Sequence, residues 1–360
     1  MCRIPQEVQD ELTNLSQHYE GFEANCRGAN GFLYFAVNRL TRQHVAIKFY
    51  SGEPGRQHDE PRQLASIDSQ NVLPIHEARM VSGSSDWAFF ITPRCSEGDL
   101  DDLIASRPSI HQALDIVLGI CHGVSTIHVK SMLHRDLKPG NIVMDKGVPR
   151  IADFGSVRKL DVGCTETTAT RHSILYRPPE TFASSKYTLL GDIYQIGMVT
   201  YQLLGGILHY DGKDYMTRAE RKRYDSIDND CDRSLLIDDV IRMRAEAGKL
   251  IYFDSLPPWV TNSAKSLIRQ TTNPDPQKRL QTIGDVVAGL TRIRSEVADW
   301  KWDGQNIIVQ SDKGQVELRP SLSSAERDVY SAYRQGANGF RRVSGVPDGS
   351  FKEIAKKLNL

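Results

Sequence analysis

The stretch HRDLKPGN, His134 to Asn141, followed twelve residues after Asn141 by DFG, Asp153 to Gly155, constrains this chain more than any other part of its sequence. Transfer of a phosphoryl group needs cations that bridge phosphate oxygens, and hard divalent cations prefer oxygen ligands. Asp153 offers a carboxylate and Asn141 an amide oxygen. Between them, NIVM and RIADF flank the turn DKGVP and read as two short strands, which would carry both oxygens to one end of a hairpin. Asp136 lies five residues before Asn141, placed to accept a hydroxyl proton, and Lys138 can neutralise charge on the moving phosphate. Catalysis of this kind is mostly positioning and electrostatics.

The rest of the chain supplies a body large enough to hold such a site. Residues 19–50 are β-branched, aromatic and punctuated by glycine, and WAFFITP (87–93) is another apolar strand. From about residue 100 the periodicity turns helical, as in HQALDIVLGICHGVSTIHVKSML (111–133) and DIYQIGMVTYQLLGG. The chain has 45 basic and 45 acidic residues, so no global field draws it to nucleic acid or a membrane surface. Six scattered cysteines without a CxxC pair argue against a zinc knuckle or a secreted disulfide framework, and a cytoplasmic location is expected.

These motifs resemble the eukaryotic-type serine/threonine protein kinase family, and the resemblance spans residues 19–294. VAIK puts Lys48 where that family pairs a strand lysine with the nucleotide phosphates, with Glu60 as its helix-borne partner. CRGANGFLYFA resembles the family's glycine-rich loop, with Gly28, Ala29, Asn30 and Gly31 over the phosphates, Leu33 over the adenine, and Cys26 in place of the first glycine. Ala46, the gatekeeper Thr92, and Arg94 and Cys95 of the hinge would complete the nucleotide pocket. RPPE (177–180), Asp192 and Arg279 match the end of the activation segment, the anchoring acid of a buried helix and the partner of Glu180.

The resemblance implies an α+β, two-lobed protein kinase fold. The small β-rich lobe would span 19–93 and the helical lobe 96–294, after an N-terminal extension at 1–18. It further implies ATP as cofactor, magnesium or manganese held by Asn141 and Asp153, and protein substrates modified on Ser or Thr. Asp136, Lys138, Lys48 and Glu60 form the implied catalytic set. Two other readings remain open: a kinase-shaped scaffold with little turnover, to which Cys26, Pro61 and His172 point, and a small-molecule kinase of related fold. Thr168 and Thr170, near Arg135 in such a fold, are candidate phosphorylation sites.

A C-terminal appendage follows at 295–360. DWKWDGQNIIVQSDKGQVELRP predicts a hairpin over 300–320. Residues 321–360 read as a helical tail with capping boxes at Ser323–Glu326 and Ser350–Glu353. GANGF, present at Gly28–Phe32, recurs at Gly336–Phe340. No catalytic loop follows the second copy, and Gly336 is expected to stop a helix formed by SSAERDVYSAYRQ. The tail is weakly basic and is expected to dock on the large lobe or on a partner rather than on nucleic acid. Ser344 in RRVS resembles a phosphorylation site for kinases that favour basic sequences.

Overall fold

The computed structural model describes residues 4–25, 31–51, 59–84, 86–161, 163–168, 174–311, 314–321 and 328–358. The N-terminal extension forms helix α1 (Gln6–Leu15), which precedes an antiparallel sheet of β1 (Tyr19–Asn25), β2 (Phe32–Asn38), β3 (His44–Ser51), β4 (Glu77–Met80) and β5 (Trp87–Pro93) in the order β1-β2-β3-β5-β4. Side chains alternate across a strand, so β3 serves two environments. Val45, Ile47 and Phe49 face a core that includes Val8 and Leu15 of α1, while Tyr50, on the same face as Ala46 and Lys48, packs with the large-lobe core. Ile47 and Phe49 are fully buried, each contributing roughly 1.5–3 kcal/mol. The buried carboxylate of Glu11 in α1 accepts from the amide of Ser82 at 3.1 Å, which satisfies it and staples the extension to the sheet. Helix α2 (Asp59–Ala65) is short, with Glu60 and Pro61 in its first turn.

The large lobe is helical. After α3 (Leu100–Ala105) comes α4 (Ile110–Val129), which is long and apolar enough to cross a membrane by length and composition, yet contributes ten buried residues to the lobe's core. The short pairs β6 (Met132–Leu133) with β9 (Arg158–Lys159), and β7 (Ile142–Asp145) with β8 (Val148–Ile151), bracket the HRDLKPGN and DFG motifs. The β7–β8 turn uses Lys146 and Gly147, both at positive φ, as a tight hairpin requires. Strand β10 (Glu166–Thr168) pairs with β11 (Lys186–Thr188), which follows α5 (Glu180–Ser184). Helix α6 (Leu189–Leu203) is buried from Gly191 to Leu203 on every face. Helices α7 (Arg218–Asp225), α8 (Asp230–Glu246), α9 (Asn262–Thr271) and α10 (Ile283–Glu296) surround it. A Cβ on Gly197 of α6 would collide with Thr271 of α9, so glycine there sets how closely the two helices approach.

The appendage corrects one expectation. The hairpin forms as β13 (Ile307–Ser311) and β14 (Gly314–Pro320), joined by β12 (Asp299–Trp302). The tail, however, is largely sheet: β15 (Val329–Gly336), β16 (Gly339–Arg342) and β17 (Gly349–Ser350) continue the same antiparallel sheet. Residues 329–335, expected to be helical, alternate instead, with Ala332 facing the core beside Leu318 and Tyr333 facing Glu317. Gly336 is therefore a strand end rather than a helix stop. It pairs with Gly339 (φ 99°), and Ala337 and Asn338 form a two-residue hairpin loop. The second GANGF is a hairpin turn. Neighbouring strands supply the burial that a helix of this sequence lacks, and so override its local helical preference. The Ser323–Glu326 box lies outside the described residues. The second box is as expected: Ser350 and Glu353 bond reciprocally at the start of α11 (Phe351–Leu358).

Candidate active site

Strand β3 presents Lys48 from its cleft face, in register with Leu33 of β2 and Phe90 of β5. Its ammonium lies 2.7 Å from Glu60 and 3.1 Å from Asp153. Burial works against that charge, but the two carboxylates outweigh it and raise the Lys48 pKa. Burial pushes Glu60 upward despite Lys48. Asp153 is held below its usual range: burial opposes this, and the ammonium of Lys48 prevails. Asp153 sits at φ 56° and accepts from the amide of Gly155 at 3.4 Å, while Phe154 is buried against the His134 ring. That left-handed residue turns the chain so that the carboxylate faces the cleft and the phenyl ring the core.

The catalytic-loop geometry is built on Asp192, fully buried in the first turn of α6. Its carboxylate accepts from the amides of His134 and Arg135, from Tyr187 Oη and from His128 Nε2, at 3.0, 2.9, 2.9 and 2.7 Å. Burial works to raise its pKa, but the hydrogen bonds from His128 and the Arg135 amide, with the nearby histidines, hold the carboxyl below the usual carboxylate range. Gln195 adds two contacts, accepting from the amide of Leu137 and donating to the carbonyl of Arg135. Clamped in this way, the loop holds Asp136, whose Oδ2 receives Lys138 Nζ at 2.9 Å and Asn141 Nδ2 at 3.0 Å. Asp136 Oδ1 is buried with no hydrogen-bond partner among the described residues. An unsatisfied buried carboxylate oxygen is costly, and this atom can accept from a further donor that enters the site.

Asn141 is tied to the DFG strand, since its carbonyl accepts from the amide of Ala152 at 2.8 Å. The hairpin thus brings Asn141 and Asp153 together, as the sequence led us to expect. With its amide nitrogen engaged by Asp136, Asn141 has its amide oxygen to offer, alongside the carboxylate of Asp153. Two hard oxygens suit a divalent cation that completes its shell with phosphate and water.

The nucleotide pocket is described in part. Gly28, Ala29 and Asn30, with Cys26, lie outside the described residues. Gly31 (φ 115°) is described, and a Cβ there would collide with the Phe49 carbonyl, so only glycine fits. Ala46 pairs with the buried Thr92, and Leu33 is half-buried on β2. The amide of Arg94 donates to His44 at 3.1 Å, and its side chain stacks on Phe35 and reaches Glu23. Cys95, which follows it, has no backbone–backbone hydrogen bond among the described residues. Burial, with Asp145 adding to it, pushes its thiol up to about 11.

Around the site, Arg135 donates to the carbonyls of Ser156 and Thr168, and Glu166 pairs with Lys186 at 2.6 Å, fixing the β10–β11 ladder. The Thr168 side chain is exposed; Thr170, Ser173 and His172 lie outside the described residues. Arg279 meets Glu180 through two contacts, at 2.7 and 2.6 Å. Sequence reasoning missed His128 and Gln195, whose only signal is a polar residue on an apolar helix, and Tyr187 of the short strand β11.

A family model for the protein kinase domain matches residues 23–288, and the chain belongs to that family. It is 24% identical over 324 residues to the serine/threonine-protein kinase PrkC of Bacillus subtilis, a match covering 87% of this chain and 45% of that protein. It is 31% identical over 231 residues to PknA of Corynebacterium glutamicum, covering 59% and 49%, and 29% identical over 271 residues to the mitogen-activated protein kinase HOG1 of Blumeria graminis, covering 73% and 71%. The matches to the two bacterial kinases span less than half of each of those proteins. Membership of the family implies ATP and a divalent metal.

Proposed function

We propose that this chain is an active serine/threonine protein kinase that transfers the γ-phosphate of ATP, with magnesium, to Ser or Thr hydroxyls of proteins. The observation that carries this reading is the pairing of a closed Lys48–Glu60–Asp153 network with an unpartnered, buried Asp136 Oδ1. Lys48, held by Glu60, orients the phosphates. Asn141 and Asp153 would hold the metal, which bridges phosphate oxygens and offsets their charge. Asp136 orients the acceptor hydroxyl and takes its proton, and Lys138 beside it stabilises charge on the transferring group. Support for protein substrates comes from the ordered β10–β11 platform and the Glu180–Arg279 anchor at the end of the activation segment. Autophosphorylation within that segment, at Thr168 or Thr170, belongs to the same proposal. So does cytoplasmic residence, supported by the scattered cysteines, of which Cys95, Cys121, Cys164 and Cys231 are free thiols. The test is transfer of labelled phosphate to a generic basic protein. Asp136→Asn is expected to lower kcat by about 10²–10⁴-fold, the usual scale for a positioned general base. Equal turnover in that variant would overturn the reading.

A further inference from the structure

The appendage sheet ends on β16, an edge strand with Arg341 and Arg342 exposed, and Ser344 is exposed in the turn that follows. Arg341 has no ion-pair partner among the described residues. Arg342 pairs with Asp348 at 2.5 Å, a solvent-exposed contact that another carboxylate can replace.

The cleft carries the opposite charge. In the first turn of α3, the Asp101 carboxylate is held by Tyr210 Oη at 2.7 Å. A Cβ on Gly140 would lie 3.3 Å from Asp101 Oδ2, so the bare backbone at 140 lets this acid sit against the catalytic loop, two residues from Lys138. Asp99 and Asp102 flank it. In the same cleft the buried Asp136 Oδ1 has no partner, which marks a hydroxyl donor as the group the site awaits.

We propose that Ser344 is a substrate of the kinase domain of a second copy of this chain, with Arg341 and Arg342 seated against Asp101 and its acidic neighbours. The proposal rests on the kinase reading above. A second copy is required because the turn is fixed at both ends to β15, by the Val343 amide to Ala332 and by the β15–β17 pairing, and β16 lies at the opposite edge of the sheet from β12, the strand that packs on α4. In the step, Ser344 Oγ bonds to the γ-phosphorus of ATP as the bridging bond to the β-phosphate breaks. The hydroxyl proton passes to Asp136 and ADP leaves.

The experiment mixes wild-type full chain with a mass-tagged Asp136→Asn full chain, labelled ATP and magnesium, beside a generic basic protein as control. Label should map to Ser344 of the inactive copy, vanish in Asp136→Asn/Ser344→Ala and return in Asp136→Asn/Ser344→Thr. Removing both arginines from the acceptor should slow labelling about tenfold, the scale of one or two charge-assisted contacts. With an Asp101→Asn donor that difference should shrink to about twofold. Label on the basic protein without label on Ser344, or unchanged labelling of the Ser344→Ala acceptor, overturns the proposal while leaving the kinase reading intact. Label on Ser344 of the active copy alone overturns the second-copy assignment. Failure to label either substrate overturns the kinase reading and this inference with it.

Discussion

Lys48, Glu60 and Asp153 come from three separate elements, and their charges are usable only together. Burial has raised the Glu60 pKa, so as pH falls this carboxyl neutralises before Asp153, which is held low. The ionised form of Glu60 is the one that holds Lys48. Activity is therefore expected to fall on the acid side through the Glu60 titration, above the ordinary carboxylate range of about 4. A kcat/KM profile for ATP measures this limb, and Glu60→Gln should remove it while lowering the plateau. Thiol chemistry gives a second check at this scale. With its pKa pushed up to about 11, Cys95 carries roughly a hundredfold less thiolate than an ordinary cysteine, and the Cys121 thiol, at about 12, still less. Brief alkylation followed by mass spectrometry should modify the exposed Cys164 and Cys231 first. Asp136, Asn141 and Asp153 were readable as candidates from residue type and spacing, and Lys48 from the resemblance of VAIK to the kinase family's strand. The support given by His128 and Gln195 was not, since a polar residue on an apolar helix has no visible partner until the helices pack.

At the scale of elements, two contacts decide how the large lobe closes. Arg279, whose side chain has no exposure, ties the loop before α10 to α5 through Glu180. Glu180→Ala leaves a buried guanidinium uncompensated and should cost about 3–5 kcal/mol, read as a lower denaturation midpoint at unchanged slope. Gly197→Val would force α6 away from α9, at about 1–3 kcal/mol by the same measurement. The misread element is equally instructive. DVYSAYRQ satisfies a helical pattern as well as an alternating one, and its neighbours β14 and β16 settle the matter by offering hydrogen bonds and a buried face. FKEIAKKL keeps its helix because Phe351, Ile354 and Ala355 fall on one face and the Ser350–Glu353 box starts it.

In the whole molecule the appendage and the large lobe share one core. Trp300 of β12 and Phe351 of α11 meet at 4.7 Å, Trp259 of the large lobe lies 6.0 Å from Phe351, and His111 of α4 hydrogen-bonds Asp299 and Val297. Phe351→Ala should cost about 3–5 kcal/mol and lower the melting of the large lobe and the appendage together. Calorimetry that shows the appendage melting alone would contradict a shared core. In the small lobe one face of the sheet forms a separate apolar cluster with α1, while Tyr50, Leu64, Ala88 and Phe90 join the large-lobe core. The sequence by itself determined the HRDLKPGN and DFG motifs, the order of the lobes and the polar side chains that the fold gathers at one site, because those depend on local chemistry and fixed spacing. Only the tertiary structure decided that the N-terminal extension is a helix on the sheet, that the tail is strand rather than helix, and that Asp101 rests against Gly140. Each of these depends on burial against segments distant in sequence, which no local pattern records.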